Sequence, residues 1–467
     1  MIARALALAL VLAAAVLPAA AQSPESHDMR LVGADDLQGR SAYQPIVVKQ
    51  GDRWLAYVGH HGGTRRNALT GKDELNGTSI VDVTDPRAPR YLHHIAGAPG
   101  EAEAGGAAMV RVCSGDQLPR AARGHSYLLR TLGNLAHEVW DVTDPAKPAL
   151  LTTVVAGLGS THKNWWECDS GVAYLVSDGR PQGWRTNRMT KIYDLADPAH
   201  PRLIRDFGLV GQEPGSTGEA PEGVHGPIAY QDRVYFAYGT GAKGLLQIVD
   251  RTKLLEGPAA PTPANLAAPE IGRLVMSPDW GAHTSFPVLG IPIADDAANT
   301  ARRTRDVVVV VSESLKNECQ EIRQLMFLVD VTVPSRPQAV STFEVPEASG
   351  DFCKRGGRFG PHSSNESFTP VFYGRLVFLA YFNAGVRAVD IRDPFHPREA
   401  AFFIPAVTPN TERRCVTVAG AERCKTAIQT NNLEVDDRGY VYAVDRAGTG
   451  LHILELTGAA GAMAKLP

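Results

Sequence analysis

The chain is 467 residues long, with 45 Gly, 32 Pro, 44% hydrophobic and 21% charged residues, and a formal net charge of −3. This composition excludes disorder, which needs fewer apolar residues, and a coiled coil, which would not carry so much Gly and Pro. Near-neutral charge leaves no electrostatic footprint for nucleic acid, and the length suits two or three domains or one large all-β domain.

Residues 1–21 read as a signal peptide. Arg4 supplies a positive start, Ala5 to Leu17 an apolar run too short to span a bilayer, and Ala19-Ala20-Ala21 a small-residue cleavage site. No Cys follows that site, which argues against a lipid anchor, and no later apolar run is long enough for a transmembrane helix. A monomeric periplasmic or secreted protein is expected, with residues 22–28 a flexible mature N-terminus and 457–467 a flexible tail.

Between them, residues 29–456 repeat. SIVDVTDPRAPRYL at Ser79 to Leu92, EVWDVTDPAKPALL at Glu138 to Leu151 and KIYDLADPAHPRLI at Lys191 to Ile204 share apolar residues, an Asp and an Asp-Pro turn. Weaker copies place the marker acid at Asp250, Asp330 and Asp390 and, substituted, at Glu455. Before each marker runs a second apolar β-branched stretch, such as WLAYV at Trp54 and DVVVVV at Asp306. A further strand-like segment precedes that stretch, and an outer strand follows the turn, which makes a four-stranded propeller blade. The marker Asp residues read as turn chemistry, because an Asp side chain can bond backbone two residues on and Pro fixes φ.

The motifs resemble the LVIVD repeat family, which implies a β-propeller with one repeat per blade over nearly the whole mature chain. Seven copies predict seven blades. After LHILEL at Leu451 the last unit lacks an outer strand, whereas MRLV at Met29 matches the outer strands of other units. The N-terminal strand is therefore expected to complete the seventh blade and close the ring, removing exposed sheet edges.

In a propeller the inner strands start on one face and converge on the axis. Those starts are placed near Gln44, Met109, His162, His225, His283, His362 and Asn432, so four consecutive blades offer His. With 14 His in the chain, that clustering exceeds chance. Several neutral imidazoles at one rim suit a transition metal such as Cu, Fe or Zn; the alternative is a structural ring of hydrogen-bonding His around a channel.

The second strands should end on the same face, bringing His60, His61, Asp178, Glu313, Asn383, Asp445 and Arg446 towards the site, with Glu222 and Glu366 close in sequence to His225 and His362. Of these, His60, His61, Asp178 and Glu313 are candidate catalytic groups, as general acids or bases or as partners that orient a ligating His. The others, with Gln44 and Asn432, are candidate pocket residues. Long loops at Gly211 to Pro221, Pro346 to Pro361 and Pro405 to Thr430 are expected over this face. The Pro-Ala stretch from Gly257 to Pro269 reads as an excursion within the fourth unit.

Six Cys allow fifteen pairings. The blade order places Cys113 with Cys168, Cys319 with Cys353, and Cys415 with Cys424 as neighbours; the rival is a thiolate metal site, although no CxxC is present. GxSxG, Walker, HExxH and CxxCH motifs are absent. By fold-level analogy with the carotenoid-cleavage oxygenases, which carry four-His iron on a propeller axis, the expected function is a metal-dependent oxidase or oxygenase acting on a small molecule. The alternative is a non-catalytic LVIVD-repeat module that binds a protein or glycan.

Overall fold

The computed structural model describes residues 23–293 and 304–465. The expected signal peptide lies outside the described residues. Four sheets are simple four-stranded antiparallel meanders whose strands pair in chain order. The second of these is typical, with strands Thr161–Trp166, Val172–Ser177, Met189–Asp194 and Arg202–Phe207. A fifth sheet, beginning with Ala42–Gln50, adds the short strand Gly106–Ala107 to the same meander. The largest sheet has nine strands, and its halves, Phe359–Ser364 onward and Thr430–Val435 onward, meet at the single pair Phe382 and Thr430; two further sheets are two-stranded hairpins.

Burial follows position within each sheet. Val172–Ser177 is buried along its whole length, and so are Val307 to Val311, because both faces of such a strand pack against neighbouring sheets. Outer strands such as Ala149–Ala156 are largely exposed. Inner strands pack on one another in sequence: Ala42–Gln50 on Val110–Ser114, then Thr161–Trp166, Val224–Tyr230, Thr284–Pro292, Phe359–Ser364 and Thr430–Val435, which returns to Ala42–Gln50. Four-stranded sheets around a closed ring of inner strands make a fold of the β-propeller type.

The marker acids sit where the third strand turns into the fourth. Asp82, Asp141, Asp194, Asp330 and Asp390 each accept a hydrogen bond from the backbone N–H two residues on, at 2.8–3.1 Å. Asp250 instead caps the helix Arg251–Glu256, accepting from Lys253 N at 2.9 Å. The Gly257 to Pro269 excursion carries a second short helix, Pro263–Ala267.

Met29–Asp35 pairs antiparallel with Gly450–Leu456, Met29 opposite Leu456 and Asp35 opposite Leu451, so the two ends of the chain share one sheet. Among the described residues, short elements flank the repeat region on both sides. Glu25–His27 adds a strand to the edge of Arg398–Ile404, whose outward backbone groups would otherwise lack partners, and Arg355 holds Glu25 at 2.6 Å. After the last strand, Gly458–Gly461 forms a helical turn whose Ala459 N–H donates to the Asp28 carboxylate at 2.9 Å.

The three disulfides join Cys113 to Cys168, Cys319 to Cys353, and Cys415 to Cys424. The first ties two inner strands at their far ends. The last closes the hairpin of Arg413–Val418 and Ala421–Thr426 within the long Pro405 to Thr430 loop. Among the described residues no helix is long and apolar enough to cross a membrane.

Candidate metal centre at the propeller axis

A recurring bulge builds the site. Thr161 pairs with Ser177 and Asn164 with Leu175, which leaves His162 and Lys163 opposite one residue. Val224 pairs with Tyr238 and Gly226 with Ala237, which leaves His225 unpaired. Phe359 pairs with Phe382 and Ser363 with Ala380, freeing the stretch that contains His362. His283 immediately precedes the first paired residue of its strand, Thr284. An extra residue on one strand bends it and re-aims a side chain, here at the start of successive inner strands.

The four imidazoles line up as neighbours. Ring centroids lie 4.4 Å apart for His162 and His225, 3.5 Å for His225 and His283, and 4.4 Å for His283 and His362. Tyr43 closes the circle, 5.9 Å from His162 and 5.7 Å from His362, with its hydroxyl 3.4 Å from His162 Nε2. All four His are buried. Burial first, and then the neighbouring cations and imidazoles, hold each of them well below the ordinary imidazole pKa, so they are neutral.

Neutral rings are the form that ligates a metal. His225 Nδ1, His283 Nε2 and His362 Nε2 are buried without a hydrogen-bond partner, an arrangement that costs stability unless something else meets them. Two triads offer ligand atoms within 4.8 Å of one another: His162, His225 and His283, and His283, Glu313 and His362. This donor set fits a borderline transition ion and fits Ca or Mg poorly.

Glu313 reaches the ring, its oxygens 3.9 Å from His283 Nε2 and 3.7 Å from His362 Nε2. Burial raises its pKa, although Arg358 pairs with it at 2.8 Å. His61 and Arg446 also arrive: the His61 ring lies 4.7 Å from Tyr43, and Arg446 Nη2 lies 3.4 Å from His61 Nε2. His60 does not. Consecutive strand residues point to opposite faces, and His60 turns outward to Ser79 Oγ at 2.7 Å.

Other candidates are committed elsewhere. Asp178 holds the Arg180 guanidinium, both contacts at 2.9 Å. Glu222 is exposed and lies 3.8 Å from Lys243. Asn383 donates to the Phe352 and Gly356 carbonyls, each at 2.8 Å. Asp445 accepts from the Gln429 and Ala447 N–H groups and is pushed up to about 6 by burial. Asn432 donates to Gln44 Oε1 at 2.6 Å, and Ser363 donates to Asn432. The residue bulged out of the Thr430–Val435 strand is Asn431, and the Tyr43-Gln44 pair occupies the equivalent place in the first sheet.

Glu366 belongs to a buried charged layer, bound by both Arg111 and Lys163. Glu434 faces the same cations, and burial raises its carboxyl to about 7. Gly226 makes room for this layer, since a Cβ there would sit 2.1 Å from Lys163 Cδ. Tyr43, Lys163 and Glu434 escape the sequence pattern because bulges in their strands shift the register by a residue, whereas Arg111 lies on a strand in continuous register that no motif marks. Glu103, whose Oε2 lies 3.7 Å from His162 Nδ1, and Arg188, which pairs with Glu103 at 2.9 Å, come from loops that no motif marks.

A 580 Å³ cavity opens at the other end of the inner strands between Trp165, Trp166, Tyr230 and Phe368, where Glu167 and Arg251 pair with each other.

No protein-family match is found for the chain, and no curated protein matches it. Among solved structures it is similar to a periplasmic gluconolactonase of Pseudomonas aeruginosa, at 13% identity and a TM-score of 0.44, over 75% of this chain and 83% of that one.

Proposed function

We propose that this chain is an exported seven-bladed propeller of the LVIVD-repeat kind whose axial His162, His225, His283 and His362 hold one transition-metal ion, Cu, Fe or Zn, in a metal-dependent oxidoreductase. The closed sequence of inner strands supports the blade count, with the nine-stranded sheet taken as two blades touching at Phe382 and Thr430. Three disulfides fit an oxidising compartment outside the cytosol. The observation that carries the metal reading is the set of buried imidazole nitrogens without partners on neighbouring rings.

A bound ion would supply Lewis acidity or, for Cu or Fe, electron transfer at the axis. The chain's own groups shape what happens there. Burial of the His ring keeps bulk water out, and Glu313, raised by burial, can hold or release a proton beside His283 and His362. Arg358 orients that carboxylate, and the buried Tyr43 hydroxyl keeps its proton next to His162.

Titration of untagged, chelator-treated protein with Cu, Fe or Zn salts tests this. Uptake of one equivalent that depends on His162 and His283 is expected. Absence of uptake for all three metals would leave the His ring structural and the propeller a binding module.

A further inference from the structure

We infer that the axial site takes a small molecule bearing an oxyanion, held by the guanidinium of Arg446. The inference rests on the axial site being the functional one, and it adds the substrate class.

Three guanidiniums surround the His ring, and two have carboxylate partners. Arg188 pairs with Glu103 at 2.9 Å and Arg358 with Glu313 at 2.8 Å. Among the described residues Arg446 makes no ion pair. Its side chain is buried, at 9% exposure, and its Nε has no hydrogen-bond partner. Its contacts are neutral: His61 Nε2 at 3.4 Å, and the faces of Tyr43 and Phe382 at 5.7 and 5.6 Å. Asp445, next in sequence, spends its carboxylate on the backbone N–H groups of Gln429 and Ala447.

Glu313 and Glu103 attract Arg446 through space, but each is paired directly with another guanidinium, and Arg358 repels it, so three buried or half-buried cations share two carboxylates. The excess positive charge is costly, aromatic faces offset only part of the cost, and a metal ion in the ring would add more. An anion entering between Arg446 and the imidazoles removes this imbalance. Guanidinium is the planar fork that grips carboxylate or phosphate through two parallel hydrogen bonds. Exposure gives the route of entry, rising from Arg446 to 23% and 25% for the Arg188 and Arg358 side chains and 41% for Glu103.

The test is calorimetric titration of the full-length mature protein with acetate and, separately, with phosphate, with metal content measured on the same samples. At least one anion should bind the wild type, and Arg446→Gln should weaken it tenfold or more with an unchanged circular dichroism spectrum. Arg446→Lys, which keeps the charge but loses the fork, should fall between, and it serves in place of Arg446→Gln if that variant does not fold. The arm that binds identifies carboxylate or phosphate chemistry. Failure of both anions to bind, or binding indifferent to Arg446, overturns the inference. Arg446-dependent binding by protein that takes up no metal upholds it while removing the metal reading, and metal-loaded protein that binds neither anion does the reverse.

Discussion

The Nε2 atoms of His162 and His225 face one another across 2.6 Å in the buried ring at the propeller axis. As a hydrogen-bonded pair, one ring must carry its proton at Nε2; as two ligands, both nitrogens must present lone pairs. Both rings are neutral in either state, so the states differ in where the protons sit, one at Nε2 in the pair and both at Nδ1 when the two Nε2 atoms ligate. In metal-free protein we expect a slowly exchanging Nε2–H resonance that disappears when zinc is added. An Nε2–H resonance that persists in zinc-loaded protein would show that these rings do not both ligate through Nε2.

His60 and His61 are adjacent but serve different environments. His61→Ala removes the neutral partner of Arg446 and a ring against Tyr43, and should weaken both metal uptake and anion binding. His60→Ala leaves Ser79 without its imidazole partner and should lower stability by about 1–3 kcal/mol with the metal stoichiometry unchanged. Denaturant melts and metal analysis of the two variants separate these effects.

Glu434 gives the fold a pH dependence. Burial raises its carboxyl to about 7 in the folded chain, against 4.5 for an ordinary Glu. Below pH 4.5 both folded and unfolded chains are protonated, and no penalty applies. As pH rises from 4.5 to 7 the unfolded chain ionises while the folded chain resists, so stability falls by about 3 kcal/mol over that window. Glu434→Gln cannot ionise, so its melting temperature should overtake that of the wild type progressively between pH 5 and 8. A difference that does not change with pH would contradict this assignment.

The disulfides should contribute unequally. Cys113 and Cys168 are 55 residues apart and tie two inner strands, whereas Cys415 and Cys424 are 9 apart within one surface hairpin. Loop-closure entropy alone favours the first by about 1.6 kcal/mol. Replacing each pair with Ser should therefore lower the melting temperature more for Cys113 and Cys168. Equal losses would place the stabilisation in the folded state instead.

The repeat was legible because its turn chemistry is local. Asp82 and its counterparts bond backbone two residues away, and the residues that do so recur in the sequence. The His ring was legible because equivalent positions at the strand starts recur from one sheet to the next, at a bulge for His162, His225 and His362 and just before the first pair for His283. Tyr43 was not, since the bulge sets it rather than Gln44 on the axis, a shift that no composition or periodicity records. Asp178 is drawn away by a local contact, with the Arg180 two positions on. Glu103 and Arg188 depend on loops whose paths are set by packing over the whole face. That Arg446 makes no direct ion pair among the described residues becomes visible only once all of its neighbours are in place.

The metal content of untagged protein as purified tests the central claim most directly. We expect close to one equivalent of Cu, Fe or Zn in the wild type and less than a tenth of an equivalent in His225→Ala. A wild type holding less than a tenth of an equivalent, and gaining none on incubation with each metal, would contradict the claim. Full metal content in His225→Ala would overturn the ligand assignment.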